Sequence, residues 1–78
     1  MSNETENPLV IGGLYEHYKG KRYKVHGLVH HSETLEELVL YETLYPHDLG
    51  NMWVRPKAMF LETIEIDGNR VPRFRYIR

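Results

Sequence analysis

The 78 residues are enough for one small domain, which buries only about 60% of the surface that its unfolded chain exposes. A hydrophobic content of 41% argues against a wholly disordered chain, and the lack of cysteine excludes disulfides and thiolate metal ligands. No apolar run approaches the roughly 18 residues of a membrane helix, and the start lacks the order of a signal peptide, so we expect no membrane association and a cytoplasmic location.

The net charge of −1 is unevenly distributed along the chain. Residues 1–50 carry four Lys/Arg against eight Asp/Glu, whereas residues 51–78 carry six against three. Arginines crowd the C-terminus at Arg70, Arg73, Arg75 and Arg78. This pattern predicts either a solvated strand edge protected by charge or an anion-binding face.

The first eight residues are polar and have no period, which predicts a flexible tail at 1–8 and a single domain at 9–78. Residues 9–11 are apolar and either add a short strand or pack over one end of the core. The next strand is predicted at 14–18, followed by a turn at 19–21 in which Gly20 adopts positive φ at no steric cost.

Alternation within that strand separates two pairs of side chains. If Leu14 and Tyr18 point inward, Tyr15 and His17 share an outer, groove-facing surface.

A second strand is predicted at 22–30, where Tyr23, Val25, Gly27 and Val29 share one face. Glycine inside a strand indicates a bulge or sharp bend, which a small barrel needs in order to close.

Residues 35–45 are open to two interpretations. Thr34 to Glu37 fits a helix capping box, yet the run from Leu38 to Tyr45 is rich in the residue types that favour strands. We predict a strand.

The remainder divides into short elements joined by turns. We predict a strand at 52–55 ended by Pro56, a helical turn at 57–60, a strand at 62–66, a hairpin turn at 67–69 and an edge strand at 71–77. The chain is therefore predicted to be all-β: a small SH3-like barrel of five or six short antiparallel strands, with one helical turn before the fifth strand. A strongly bent open sheet covered by a short helix is the alternative.

Most of the nine aromatic residues are expected in the core. Trp53 and Arg55 share one face of their strand, and an aromatic ring beside a cation suits stacking on a base or a cation–π contact. Trp53 as a core anchor, with Arg55 as its neighbour, is the structural alternative.

The five histidines do not predict a metal site. His26 and His30 lie about 13 Å apart along a strand, too far to share one ion. Ser32 has no triad geometry and the glycines do not form a phosphate loop, so we predict no catalytic nucleophile and no cofactor.

Several motifs occur in order along residues 12–77: G-x-Y-x-H-Y-K-G at 13–20, E-x-L-V-x-Y at 36–41, W-V-R-P at 53–56 and P-R-F at 72–74. Together they resemble a small bacterial family, catalogued as domain of unknown function 1653 (DUF1653). The resemblance implies no established activity. It singles out polar residues that burial alone does not require, namely His17, Lys19, Glu33, Arg55 and Arg73.

The leading hypothesis is a non-catalytic binding module. Its groove would take an anionic or partly aromatic ligand such as a nucleotide, RNA or an acidic peptide. The predicted ligand-binding residues are Tyr15, His17, Lys19, Glu33, Trp53, Arg55 and Arg73. A small enzyme with His17 or Glu33 as general base is one alternative, and a structural domain in which Arg55 or Arg73 pairs with Glu33 is another.

Overall fold

The computed structural model describes residues 9–78, so the predicted tail at 1–8 lies outside the described residues. The elements in chain order are β1 (Leu14–His17), β2 (Arg22–His30), β3 (Glu37–Thr43), β4 (Met52–Pro56), α1 (Lys57–Phe60), β5 (Thr63–Ile66), β6 (Asn69–Pro72) and β7 (Phe74–Tyr76). Five strands form one antiparallel sheet in the order β4-β3-β2-β1-β7, and β5-β6 is a separate hairpin. The predicted all-β class with one short helix is confirmed. Within residues 9–78, no helix has the length and apolar character needed to cross a membrane.

The segment that allowed two interpretations is a strand, β3. Leu35 has a φ of 65°, which is incompatible with a helix starting at that point. Thr34 Oγ1 accepts a hydrogen bond from the Glu36 N–H at 3.2 Å, which stabilises a local turn in place of a helix cap.

The bulge predicted at Gly27 is present in β2. Its pairing with β3 shifts register between Val25 and Gly27. One extra residue reverses the alternation beyond the bulge, so Leu28, opposite Val39, shares a face with Val25. The prediction that Val25, Gly27 and Val29 lie on one face was therefore wrong.

The single strand predicted at 71–77 is two strands interrupted at Arg73. The Arg73 N–H donates to the Glu62 carbonyl at 2.8 Å, and the Arg73 carbonyl accepts from the Tyr18 N–H at 3.0 Å. As a result β6 pairs with β5 and β7 pairs with β1. The predicted hairpin turn joins β5 and β6, with positive φ at Asp67 and Gly68.

The core lies between one face of the sheet and α1. Its buried side chains are Tyr15, Val25, Val39, Tyr41, Phe60 and Phe74. Phe60 is fully buried and stacks on Phe74 with 4.1 Å between ring centroids, so a helix of one turn covers the centre of the sheet. At the N-terminal end, residues 11–12 form a turn, and Leu9 packs against the core.

The edges of the five-stranded sheet are β4 and β7, and the two do not pair within residues 9–78. The structure thus shows a bulged antiparallel sheet covered by a helical turn. The SH3-like barrel stays a prediction.

Candidate functional site

Cross-strand pairing gathers most of the rings on one face of the sheet, which we call the aromatic face. Tyr15 lies opposite Tyr23, Tyr41 opposite Trp53 and His17 opposite Phe74. The helix α1 covers the middle of this face through Phe60. Side chains on the same face but beyond α1 are available for other contacts.

Tyr15 is a core residue. It is 3% exposed, its ring meets Phe60 edge-on at 5.4 Å, and its hydroxyl accepts a hydrogen bond from the Val10 N–H at 3.0 Å. The expectation that Tyr15 faces a groove while Tyr18 points inward was wrong, since Tyr18 is 39% exposed. The inward-facing side of β1 is the side that carries the large Tyr15 ring, which α1 covers through Phe60.

His17 occupies the edge of the core at the end of β1. Its ring lies 4.4 Å from the Tyr18 ring and 4.9 Å from the Phe74 ring. The Lys19 N–H donates to His17 Nδ1 at 3.2 Å, so the neutral ring carries its proton on Nε2. That N–H is a hydrogen-bond donor at the boundary between core and solvent.

Three cations act on the His17 ring. Burial lowers the pKa of His17 below its usual value, and the charges of Arg55, Arg73 and Lys19 lower that pKa further. The ring is therefore neutral at pH 7. The Arg55 guanidinium and the His17 ring both lie against the Phe74 ring, and Arg73 directly precedes Phe74 in the chain. We call His17, Lys19, Arg55 and Arg73 the basic cluster.

The two arginines of the basic cluster differ in their partners. The Arg55 guanidinium carbon lies 5.4 Å from the Phe74 ring centroid, and no ion pair within residues 9–78 involves Arg55. Arg73 Nη2 donates to Glu62 Oε1 at 3.2 Å, while its buried Nε has no partner among the described residues. Of the two arginines, only Arg55 has no acidic partner among the described residues, and Lys19 has none either.

A pair of phenols borders the basic cluster. The hydroxyls of Tyr23 and Tyr45 are hydrogen-bonded at 2.9 Å, and Lys21 Nζ lies 4.4 Å from the Tyr45 ring centroid. Burial and the bond to Tyr45 raise the pKa of Tyr23, so its phenol stays protonated. The Tyr23 ring meets Phe74 edge-on at 5.5 Å.

The sequence did not predict Lys21, Tyr23 or Tyr45 as site residues. Tyr23 pairs with Thr43 across β2 and β3. Extending that register by two residues would have placed Tyr45 beside the start of β2.

Trp53 and Arg55 share the aromatic face, as predicted from their strand. The partly buried Trp53 ring packs against the core, meets His47 edge-on at 4.8 Å and donates from Nε1 to the Gly50 carbonyl at 3.1 Å. Its contacts are with the β3–β4 loop and the core.

The structure does not bring Glu33 to the basic cluster. Glu33 lies just beyond the last residue of β2, and the two ends of this strand are about 25 Å apart. Its N–H donates to His31 Nδ1 at 3.0 Å. The predicted pairing of Arg73 with Glu33 was wrong, because the carboxylate beside Arg73 is that of Glu62.

A cleft of about 380 Å³ opens beside the basic cluster, between the end of β1 and the β5–β6 hairpin. It is lined by Glu16, His17, Tyr18, Gly20, Ile66, Val71, Pro72 and Arg75. A second cavity of about 260 Å³ lies along β7, where Tyr76 forms part of its wall.

Comparison with known proteins identifies relatives but gives no activity. The model of a family described as protein of unknown function (DUF1653) matches residues 13–76. A crystal structure of a DUF1653 protein from Bordetella bronchiseptica is 35% identical, covers 87% of each chain and superposes with a TM-score of 0.80. No curated protein matches significantly. Because the family model spans most of the chain and the solved structure agrees with it, the chain belongs to the DUF1653 family.

Proposed function

We propose that the domain is a non-catalytic binding module for an anionic ligand that carries an aromatic ring, namely a nucleotide or a short single-stranded RNA. The observation that carries this proposal is Arg55, a partly buried cation over the Phe74 ring with no acidic partner in residues 9–78. Removing a cation from water is unfavourable, and a bound anion offsets that loss.

The chemistry of the basic cluster supports phosphate as the anionic group. A guanidinium binds two phosphate oxygens at once. Arg55 comes from β4 and lies against the Phe74 ring, and Arg73 comes from the β6–β7 junction, immediately before Phe74. The neutral His17 ring adds an N–H donor without adding charge. Exposed Tyr18 and half-buried Tyr45 provide ring faces for a base.

An acidic peptide would use the same cations but would leave the rings without a matching group. We therefore rank it below a nucleotide or RNA, and include it as a competitor in the tests.

A structural role is the second candidate, and Arg73 is the residue that supports it. Its ion pair with Glu62, together with the hydrogen bond from the Arg73 N–H to the Glu62 carbonyl, ties the β6–β7 junction to the end of α1. Arg55 has no such partner, so the structural role accounts for Arg73 alone. The enzyme alternative requires His17 or Glu33 as general base. His17 ends β1 beside the start of β2, whereas Glu33 lies beyond the far end of β2, so neither supports the other.

We also propose that the bent sheet is a small SH3-like barrel that acts in the bacterial cytoplasm. The bulge at Gly27 and the helical turn between β4 and β5 support the barrel, because bulges bend strands enough for a sheet to curl.

Binding of a fluorescent, 5′-phosphorylated short RNA, measured by anisotropy, tests the proposal. Arg55→Ala should weaken binding by about 1.5–3 kcal/mol, the worth of a charge-assisted contact. The matched control is Arg70→Ala, which removes an exposed arginine of β6 that also lacks an ion pair in residues 9–78.

Equal affinity of the two variants would contradict the proposal, and so would an Arg55→Ala protein with a lowered melting temperature and unchanged binding. Tighter binding of an acidic peptide than of RNA would show that the ligand is an acidic peptide and not a nucleotide or RNA.

A further inference from the structure

The cleft between β1 and the β5–β6 hairpin differs in chemistry from the basic cluster. Tyr18, Ile66, Val71 and Pro72 give it apolar walls. Its charged residues compensate each other, since Arg75 Nη2 lies 2.6 Å from Glu16 Oε1. A cleft without net charge suits an uncharged, flat and apolar part of a ligand.

The size of the cleft fits a small ligand group. At about 380 Å³ it lies within the range of roughly 300–1,000 Å³ typical of small-molecule sites. Such sites are mostly apolar and contain a few polar groups that fix orientation, as the Glu16–Arg75 pair would do at one wall.

The cleft and the basic cluster are contiguous. His17 belongs to both, and its ring lies 4.4 Å from that of Tyr18. The Tyr18 N–H donates to the Arg73 carbonyl at 3.0 Å, which places the backbone of a cluster arginine directly beside the cleft wall. A ligand with a charged end and a flat end can therefore occupy both at once.

We infer that this cleft holds the base of a nucleotide, with the ring against Tyr18 and Pro72, while the basic cluster binds the phosphate. The inference rests on the proposed function and names the part of the ligand that gives it specificity over other anions. The half-exposed Tyr18 ring is the stacking partner.

The test compares adenosine 5′-monophosphate with ribose 5-phosphate, which has the phosphate and sugar but no base. Isothermal titration calorimetry should show the nucleotide binding about fivefold to a hundredfold more tightly to the wild-type protein, which is the range expected for stacking of one base. Tyr18→Ala should abolish that difference and leave the affinity for ribose 5-phosphate unchanged. The control is Tyr76→Ala, a similarly exposed tyrosine outside the cleft.

The outcomes separate this inference from the proposed function. Equal affinity of the wild-type protein for the two ligands would overturn the cleft as a base site and leave the phosphate site standing. Binding of neither ligand would overturn both. If Tyr18→Ala fails to fold, NMR of the wild-type complex decides: contacts from the adenine protons to the methyl groups of Ile66 and Val71 support the inference, and their absence overturns it.

Discussion

At the scale of single residues, His17 links the core to the candidate site. Its ring packs on Phe74, its Nδ1 is occupied by the Lys19 N–H, and Arg55, Arg73 and Lys19 are the charged groups that disfavour its protonation. The same cations that are proposed to bind a phosphate therefore keep the histidine neutral. An anion held among them would reverse part of this effect and raise the pKa of His17.

The lowered pKa of His17 predicts a pH dependence of stability. Between the pKa of the folded protein and the unfolded value of about 6.5, the unfolded chain binds more protons. The free energy of unfolding should therefore fall as the pH decreases through about 6.5, and the contribution of His17 to the slope should vanish about one pH unit above that value. Urea denaturation of wild type and His17→Gln between pH 8 and pH 5 isolates the effect, and identical pH profiles would contradict it.

Phe60 is the residue on which the core depends most. It is fully buried and contacts Phe74, Tyr15 and Tyr41, so Phe60→Ala should cost about 3–5 kcal/mol. Since a small domain has only about 5–15 kcal/mol in total, this loss should lower the melting temperature strongly.

Met59→Ala is the control for Phe60→Ala, because Met59 is on the same helical turn but 44% exposed. Its cost should stay near 0.5 kcal/mol. Similar melting temperatures for the two variants would show that α1 does not close the core. Trp53→Ala should fall between them, because the Trp53 ring is only partly buried.

At the scale of elements, Gly13, just before β1, and Gly27, inside β2, have opposite steric surroundings. A Cβ on Gly13 would lie 2.9 Å from Tyr76 Cε1 and 3.0 Å from the Val10 carbonyl, whereas a Cβ on Gly27 would meet nothing within 4 Å. Gly13→Ala should thus destabilise the protein by about 1–3 kcal/mol. Gly27→Ala should be neutral or stabilise it by up to about 1 kcal/mol, because alanine restricts the unfolded chain. Thermal denaturation measures both, and the reverse order would contradict the bulge geometry.

The elements also show which parts of the structure follow from sequence patterns. The existence of β2, β3, β4 and the hairpin turn was predictable, because alternation, proline and Asp-Gly signals are local. The break at Arg73 was not, since it depends on hydrogen bonds to Glu62 and Tyr18, which are distant in sequence. The inner face of β1 was misassigned because a four-residue strand with apolar side chains on both faces has no clear alternation.

The candidate site, too, was predictable from the sequence only in part. The family resemblance singled out His17, Lys19, Arg55 and Arg73. In the structure His17 and Arg55 both lie against the Phe74 ring, Arg73 directly precedes Phe74, and the Lys19 N–H bonds to the His17 ring. Glu33 was included on the same grounds but lies at the far end of β2. Tyr45 was missed because its contact with Tyr23 depends on the register of the sheet, and the two residues are far apart in the chain.

At the scale of the whole molecule, the uneven charge of the sequence is partly compensated in the fold. Arg75 and Arg22 pair with Glu16, and Arg73 pairs with Glu62. The positive charge available to bind a polyanion is therefore confined to the basic cluster, in a protein of net charge −1.

Affinity for single-stranded RNA should therefore depend on salt only moderately. About three phosphate contacts predict a slope near −2 in a plot of log affinity against log salt concentration. Arg55→Ala should reduce the magnitude of that slope, and the Arg70→Ala control should not. Anisotropy titrations over a range of potassium chloride concentrations provide the measurement, and a flat plot would contradict an electrostatic site.

The proposed ligand site is the region of the sheet around Phe74. The most direct test is a chemical-shift titration of the isotope-labelled protein with adenosine 5′-monophosphate, a short RNA and an acidic peptide. We expect saturable shifts for the nucleotide and the RNA, concentrated on His17, Tyr18, Arg55 and Phe74, with the His17 ring titrating at higher pH in the complex. No shifts with any of the three ligands, or shifts concentrated near Glu33 at the opposite end of β2, would contradict it.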